Sequence, residues 1–300
     1  MAIDTQNTMK VDLVIATYNR CEIFRQTIEN VLQFRNDLDQ ITFVDNASQD
    51  RTYEMMSRYS DGQITCLKND RNLGAPGGKN VGLRRGQGDV IIVMDDDAVF
   101  CSDDPINRVR DIFRQDPTLG IIQFKIINYQ TRKIQQYEFP RPDPERHGDT
   151  PFYTGYFIGA GHAIRRELLD RVGLYPESFF YAHEEIDLSY RAVAAGYTIR
   201  YSPEIAVFHK KAPGGRLPPS KVLENMFYNR LVMNRRYLPF PYNLINGLLW
   251  AVKTLRDSKS IQMVVRVLYQ YARNRADIER RKLPTISIRY LKSNYGRLYY

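Results

Sequence analysis

Hydrophobic positions in the first hundred residues follow two different periods. Short runs rich in β-branched residues predict strands, and the segments between them have helical spacing. In the first of these segments, four apolar residues recur on one helix face: Phe24, Ile28, Val31 and Leu32. Strands that alternate with helices indicate an α/β fold with a doubly wound, mostly parallel sheet. The predicted strands are VDLVIAT (11–17), QITFVD (40–45), QITCLK (63–68) and DVIIVMD (89–95).

The rest of the chain has a looser pattern that divides in two at a Pro- and Gly-rich segment, APGGRLPP (212–219). We predict a nucleotide-binding and catalytic domain at 1–212 and a basic, mostly helical region at 213–300. Before the Pro- and Gly-rich segment we predict a strand at 120–129, a polar loop at 130–151, a short helix after the aromatic segment 152–166, a helix at 184–195, and two short strands on either side of Ser202-Pro203. After it we predict amphipathic helices at 221–238 and 243–257.

Charge is distributed unevenly along the chain. Residues 216–300 carry 17 Lys and Arg against 4 Asp and Glu, whereas residues 1–215 carry 26 against 30. A basic tail of this kind suits an anionic partner, such as a membrane surface, a polyanionic acceptor or nucleic acid, and it also suits a solvated helical face or a dimer surface. Three scattered cysteines and the lack of a long apolar run predict a cytoplasmic protein, attached at most to the inner face of a membrane.

Three consecutive carboxylates, Asp95, Asp96 and Asp97, follow the fourth predicted strand. Ligands in α/β sheets bind beyond the carboxyl ends of the strands. Like charges at this density are costly unless a cation lies among them, and oxygen ligands suit Mg²⁺ or Mn²⁺ bound to substrate phosphates. The pattern therefore predicts a metal–diphosphate site, with an acidic turn as the alternative.

Two later segments contain further candidates. The sequence HEEIDLSYR (183–191) places Glu184 and Glu185 at a helix start, where a carboxylate is either a helix cap or a proton acceptor for a hydroxyl. His209 ends a predicted strand, and its imidazole suits Mn²⁺ if the fold brings it near Asp97. The glycine-rich stretch 69–86 matches neither a P-loop nor a dinucleotide fingerprint, so those two classes of protein are disfavoured.

Together these motifs resemble family 2 glycosyltransferases, the bacterial rhamnosyltransferase-like members among them. The matching pieces occur in the family's order: VIATYNR, VDNASQD, NLGAPGGKNVG, MDDDAVF and HEEIDLSYR. The resemblance covers residues 10–212 and implies a GT-A (Rossmann-like) fold with a helical C-terminal extension. It departs from the family at the base position, where Glu185 replaces the usual Asp.

The resemblance also implies roles by position. Asp45 would accept the N3–H of uracil or thymine, Asp97 would hold Mn²⁺ or Mg²⁺, and Glu185, with Glu184 beside it, would be the catalytic base. The nucleotide-sugar ligands would be Thr17, Asn19, Arg20, Asp45, Asn46, Arg71, Gly74, Lys79, Asp95 and Asp96, and the metal ligands would be Asp95, Asp97 and His209.

The activity implied is inverting transfer of a sugar from a UDP- or dTDP-sugar to an acceptor hydroxyl, in polysaccharide or glycoconjugate synthesis. Two alternatives remain at this point. A nucleotidyltransferase acting on a sugar phosphate also holds a nucleotide with carboxylate-bound metal, but needs glycines after the first strand, which ATYNRCEIF lacks. A non-catalytic nucleic-acid-binding protein would use the basic tail, but would leave the carboxylates without a role.

Overall fold

The computed structural model describes residues 9–299, and the first half of the sheet agrees with the sequence pattern. All four predicted strands form, within one residue of their predicted bounds: β1 (Val11–Thr17), β2 (Gln40–Asp45), β3 (Ile64–Lys68) and β4 (Val90–Asp95). They lie in the order β3-β2-β1-β4 with every pair parallel. Connecting helices run between them: α1 (Cys21–Val31), α2 (Thr52–Ser57) and α3 (Gly74–Arg85).

The second half of the sheet is mixed. Its strands are β5 (Ala98–Phe100), β6 (Leu119–Asn128), β7 (Phe152–Thr154), β8 (Gly161–Arg165) and β9 (Thr198–His209). The sheet continues from β4 in the order β8-β6-β9-β5, with β7 also paired to β9. The pair of β6 and β9 is parallel, whereas β8 runs antiparallel to both β4 and β6.

The two short strands predicted around Ser202-Pro203 are wrong, because β9 is one continuous strand. Its pairing with β6 shifts register between Ser202 and Ala206. Proline has no N–H to donate to a ladder and is confined in sheets to edges or bulges. The irregularity therefore absorbs Pro203 without ending the strand, and β9 continues to His209.

Helices cover the sheet and form most of the chain after residue 218. The predicted helices at 184–195, 221–238 and 243–257 are confirmed to within two residues. The three are α7 (Glu184–Ala194), α8 (Pro219–Tyr237) and α9 (Tyr242–Ser258). The other α-helices that follow α3 are α4 (Pro105–Gln115), α5 (Pro144–His147), α6 (Arg166–Val172), α10 (Ile261–Asn274) and α11 (Thr285–Ser293). Among residues 9–299, none of the helices has the length and apolar character to cross a bilayer.

Two hydrophobic clusters lie on opposite faces of the sheet, because alternate residues of each strand point to opposite sides. Ile92 belongs to the cluster that packs α1 and α4, whereas Ile91 and Val93 belong to the other. The second cluster also contains Met233 and Leu291, from the basic C-terminal region. That region therefore packs on the sheet, and the domain boundary at residue 212 stays a prediction.

Candidate active site

Polar side chains from three strands meet at one edge of the sheet. The register of the parallel strands places Thr17 beside Asp45, and Ala16 beside Asp95. The carboxyl ends of β1, β2 and β4 therefore lie together, at the place where sheets of this kind bind ligands. The sequence-predicted residues of these strand ends are brought into one site.

Asp95, Asp97 and His209 form a group that fits a divalent metal ion. One ligand atom from each lies within 4.8 Å of the others. Asp95 and Asp97 are two residues apart, and β5 pairs Ala98 with His209, which brings the imidazole to the same point. Two carboxylates and an imidazole suit Mn²⁺ and are compatible with Mg²⁺.

Glu138 orients His209, although the sequence does not mark it as a site residue. Its Oε1 lies 2.5 Å from His209 Nδ1, which leaves His209 Nε2 facing Asp97 Oδ1 at 3.1 Å. Burial acts to lower the pKa of His209, but Asp97 and Glu138 raise it to about 9. A carboxylate on the second ring nitrogen is the usual support for a metal-binding histidine. Glu138 is thus a positioning residue from the 130–151 loop.

Asp96 points away from this group. Thr17 Oγ1 donates to its Oδ2 at 2.7 Å, and Arg20 Nη1 lies 2.5 Å from its Oδ1. Arg20 Nη1 also lies 3.1 Å from Asp97 Oδ2. Burial raises the pKa of Asp96 to about 6 against the opposing effect of Arg20, whereas His209 and Arg20 outweigh burial and hold the pKa of Asp97 well below its usual value. Asp96 and Arg20 therefore brace the metal-binding carboxylates, and their nucleotide-binding roles stay predictions.

The segment 212–219, which the sequence suggests as a domain boundary, packs against one side of the site. Arg20 donates to the carbonyls of Ala212 and Gly214 at 3.1 and 2.6 Å, and the Ala212 N–H donates to Asp97 Oδ2 at 2.8 Å. Arg216 Nη2 lies 3.4 Å from the same Asp97 oxygen. Sequence reasoning missed Arg216, because its signal was only one cation in a Pro- and Gly-rich stretch.

Asp45 is fully buried at the carboxyl end of β2, and its role at the nucleotide base stays a prediction. Its Oδ2 accepts the Ser48 N–H at 3.1 Å, and its buried Oδ1 has no hydrogen-bond partner within residues 9–299. Asn19 and Asn46, in contrast, hold loops together. Asn19 Oδ1 accepts the Gln49 N–H at 2.7 Å, and Asn46 donates to the Gly74 carbonyl at 2.9 Å.

Two other predicted nucleotide ligands occupy less direct positions. Arg71 is exposed on the loop before α3. Gly74 has a φ of +76°, and a Cβ there would lie 2.2 Å from the Phe180 carbonyl oxygen. The close approach that requires glycine is therefore to the segment before α7. Roles for both residues at the nucleotide stay predictions.

Lys79 connects the metal-binding group to the two glutamates. Its Nζ lies 3.1 Å from Asp95 Oδ1 and 4.0 Å from Glu185 Oε1. Burial would lower the pKa of Lys79, but Asp95 and Glu185 raise it above its usual range. A Cβ on Gly159 would lie 2.3 Å from Glu185 Oε1, so a side chain there would displace the Glu185 carboxylate. Lys79 is thus placed to hold Asp95 and Glu185 in one pocket.

The carboxylates of α7 differ in their surroundings. Glu185 is partly accessible, with 16% of its side chain exposed, and burial raises its pKa. Glu184 is buried, and its Oε2 has no hydrogen-bond partner within residues 9–299. The Asp187 carboxylate accepts hydrogen bonds from Arg191, Arg236 and Tyr237 at 2.7, 3.2 and 2.7 Å. Asp187 therefore joins α7 to α8, and Glu185 is the more accessible of the two glutamates.

Glu184→Gln is expected to stabilise the protein at alkaline pH. Burial, followed by Glu185, raises the pKa of Glu184 to about 8 in the folded state, above its usual 4.5. The folded state then binds more protons than the unfolded state, so this group's stability contribution is complete below pH 4.5 and is lost as pH rises towards 8, at up to about 1.4 kcal/mol per pH unit. Glutamine removes that loss. Thermal unfolding should show similar Tm values at about pH 5 and a Tm higher by several degrees at about pH 8.

The control for this measurement is Glu167→Gln, at an exposed position of α6. It should leave Tm within about 1 °C of the parent at both pH values, since exposed substitutions have small effects. An unchanged or lower Tm for Glu184→Gln at alkaline pH would contradict the buried-carboxylate interpretation.

A cavity of about 650 Å³ adjoins the site. One wall is formed by Gln136, Tyr137 and residues 140–142, and Tyr156 with tail residues between 291 and 299 forms the rest. Four tyrosines, two prolines and two leucines contribute to its lining, and Arg141, Lys292 and Arg297 add positive charge without a lining carboxylate. Glu138, which holds His209, lies on the turn between the cavity and the metal-binding group.

Known proteins with the same architecture bind nucleotide sugars and manganese. The structure superposes on GalNAc-T7 with UDP, GalNAc and Mn²⁺ at a TM-score of 0.64 and 18% identity, over 91% of this chain and 58% of that one. It superposes on the mannosyltransferase PcManGT of Pyrobaculum calidifontis, in complex with GDP-Man and Mn²⁺, at 0.59 and 18%, over 98% and 86%. These likenesses establish the GT-A fold.

Sequence relatives include three bacterial proteins. An uncharacterized protein of Haemophilus influenzae is 29% identical over 58% of this chain and 97% of its own length. The Escherichia coli protein WfaP, a UDP-Glc:alpha-D-GlcNAc-diphosphoundecaprenol beta-1,3-glucosyltransferase, is 23% identical over 83% of this chain and 98% of its own. The O-antigen chain rhamnosyltransferase RfbN of Salmonella typhimurium is 23% identical over 67% and 66%.

The sheet has the GT-A fold, and its ligand-binding edge carries a carboxylate–histidine group able to hold a divalent metal. A family model for glycosyl transferase family 2 matches residues 12–173, which is just over half of the sequence. The chain belongs to that family. Membership confirms the resemblance and favours the glycosyltransferase over both the nucleotidyltransferase and the nucleic-acid-binding alternatives.

Proposed function

We propose that the chain transfers a sugar, with inversion, from a UDP- or dTDP-sugar to an acceptor hydroxyl in glycoconjugate or polysaccharide synthesis. The observation that carries the proposal is the combination of two features at one sheet edge. Asp95, Asp97 and His209 converge within 4.8 Å, and at the end of β2 a buried carboxylate oxygen of Asp45 has no hydrogen-bond partner among residues 9–299. The first suits a metal–diphosphate, and the second suits the donor group of a pyrimidine base.

Asp45 favours uracil and thymine because both bases carry an N3–H donor, which a carboxylate oxygen accepts. The buried position of Asp45 makes this contact selective, since a base without a matching donor would leave the oxygen unsatisfied. Thr17 and Arg20 lie at the adjacent strand end, where they hold Asp96 and Asp97 in place.

A divalent metal would be held by Asp95, Asp97 and His209, with Glu138 fixing the imidazole. When bound, such an ion neutralises the negative charge that develops on a departing nucleoside diphosphate. Lys79, at 3.1 Å from Asp95, adds a fixed positive charge beside the same carboxylates.

Glu185 is the proposed catalytic base. Its carboxylate shares a pocket with Asp95 through Lys79 and remains partly accessible, so it can reach an acceptor hydroxyl. It would accept the hydroxyl proton as the oxygen bonds to the anomeric carbon and the bond from that carbon to the diphosphate oxygen breaks. A single displacement of this kind inverts the anomeric centre.

The acceptor is proposed to be lipid-linked or a growing glycan. WfaP is named for action on a diphosphoundecaprenol-linked sugar, and RfbN for transfer to an O-antigen chain. The 650 Å³ cavity beside the site supports this class, since its tyrosine, proline and leucine side chains and its three cations suit a sugar that carries a diphosphate and an apolar chain.

Donor identity is tested by thermal shift with UDP, dTDP and GDP, each with Mn²⁺ and each with EDTA. Stabilisation of about 2.7 kcal/mol is expected at a hundredfold excess of the matching nucleotide over Kd, and it should disappear with EDTA. Asp45→Asn should weaken the binding of UDP and dTDP by about tenfold, the order expected for loss of one charge-assisted hydrogen bond, and should leave the binding of GDP unchanged.

Asp50→Asn is a matched control for Asp45→Asn, because Asp50 lies in the turn after β2 and caps Thr52. It should keep the nucleotide preference of the parent. Selective stabilisation by GDP would contradict the pyrimidine assignment, and an absence of stabilisation by every nucleotide would contradict the donor site itself.

A further inference from the structure

The outer side of α9 is apolar although it faces solvent. Its exposed residues recur at helical spacing along one stripe, and Leu248 and Val252 are 59% and 66% exposed. The buried side of the same helix, represented by Trp250, packs on α8. The exposed apolar residues of α9 are Leu244, Ile245, Leu248, Leu249, Val252 and Leu255.

Helix α10 has the same character. Val264 and Val267 pack against Phe227 and Leu231 of α8. The opposite side carries apolar residues that solvent reaches: Ile261, Val265, Leu268 and Tyr269, exposed by 64%, 58%, 41% and 64%. We refer to these exposed apolar residues of α9 and α10 as the α9–α10 face. Soluble proteins seldom expose so many large apolar side chains together unless the surface binds something.

The positive charge of this part of the chain indicates which kind of partner the α9–α10 face binds. Residues 242–274 carry five Lys and Arg against one Asp, and the whole segment 216–300 has a net charge of +13. Two copies meeting through the α9–α10 face would bring two such regions together and repel. An anionic surface with an apolar interior satisfies both the charge and the exposed side chains.

We propose that the α9–α10 face docks on the surface of a bilayer that contains anionic lipid. Helices of 17 and 14 residues with one apolar side lie in the plane of the interface, with the apolar side among the acyl chains and the basic residues among the headgroups. This fits the finding that no helix of residues 9–299 can span the bilayer. The docking concerns a surface remote in sequence from the catalytic residues and is independent of the proposed donor.

The test is flotation of the full chain with vesicles of phosphatidylcholine alone and of phosphatidylcholine with about 30 mol% phosphatidylglycerol. The parent should float with the anionic vesicles, and added salt should reduce binding because it screens the charges. Leu248→Glu with Val252→Glu should lower the binding constant by about tenfold or more, since the change removes apolar insertion. Both positions are exposed, so the folded core is unaffected, and an unchanged Tm verifies this.

The matched control is Gln262→Glu with Gln270→Glu, at two exposed polar positions of α10. It makes the same change in net charge without touching the apolar stripe, and its binding constant should stay within about threefold of the parent. Loss of binding equal to that of the stripe variant would overturn the proposal, since charge alone would then explain binding. Failure of the parent to float would also overturn it, and so would a dimer in solution that the stripe variant dissociates without any vesicle binding.

Discussion

Asp97→Asn is expected to lower kcat/KM by about a thousandfold and to abolish metal-dependent donor binding. Asp97 is 1% exposed and contributes one of the three ligand atoms of the metal-binding group. Asparagine keeps an oxygen that can accept the Ala212 N–H, but it removes the negative charge that a divalent ion requires. Loss of a metal that stabilises charge on the leaving group raises the activation free energy by several kcal/mol, and each increase of about 1.4 kcal/mol lowers the rate tenfold.

The measurement is transfer activity together with a Mn²⁺ titration of nucleotide binding, followed by thermal shift. Asp103→Asn is the matched control, because it makes the same chemical change at an exposed position six residues along the chain. It should keep parental activity and parental Mn²⁺ dependence. Metal-dependent donor binding that survives in Asp97→Asn, with a Tm equal to that of the parent, would remove Asp97 from the metal site.

Three strands of the first half, β1, β2 and β4, were predictable because they are buried on both faces, whereas the edge strand β3 is only partly buried and was predicted from its β-branched residues. A buried parallel strand is a continuous aliphatic run, as Val90–Asp95 shows, and such runs stand out in a sequence. The position of the site followed from the same strands, since their carboxyl ends carry Thr17, Asp45 and Asp95. Here local pattern and tertiary structure agree, so sequence reasoning was sufficient.

The three adjacent carboxylates were only partly predictable. They form one cluster in sequence, yet Asp96 turns to Thr17 and Arg20 while Asp95 and Asp97 face His209. Asp95 ends β4, whereas Asp96 and Asp97 form the turn before β5, and the direction in which each side chain of a turn points cannot be predicted from the cluster alone.

The partners of the site could not be predicted because they depend on pairings across long stretches of chain. His209 reaches Asp97 only through the antiparallel pairing of β5 with β9, and Glu138 reaches His209 from a polar loop with no motif. Arg216 was assigned to a domain break, where proline and glycine indicate a turn but not the direction in which it folds. Long-range packing, rather than local propensity, fixes these contacts.

The C-terminal region shows the same division between what is local and what is tertiary. Two of its helices, α8 and α9, were predicted from their amphipathic spacing to within two residues of their bounds, whereas α10 and α11 were not predicted individually. Their spacing did not reveal that Asp187 of α7 would bind Arg236 and Tyr237 of α8. This contact takes Asp187 out of consideration as a base and leaves the two glutamates before it.

Glu185→Gln is expected to lower kcat by about 10²–10⁴-fold and to leave donor Kd within about twofold, because a general base acts on the acceptor proton and not on the nucleotide. In the parent, burial raises the pKa of Glu185, so activity should rise with pH through a value above that of an ordinary glutamate, as the carboxyl loses its proton. Glutamine cannot titrate, and the residual activity of the variant should lack this rise.

Glu184→Gln is the matched control for this experiment, since it makes the same substitution one residue away on the same helix turn. Glu184 is buried, whereas Glu185 faces Lys79 and Gly159, so kcat of Glu184→Gln should stay within about tenfold of the parent and its pH profile should keep the rise. If instead Glu184→Gln lost turnover and Glu185→Gln kept it, the base would be Glu184. Its carboxyl would then have to leave its buried position to reach the acceptor, which makes the two variants a direct test of whether access to the pocket selects the base.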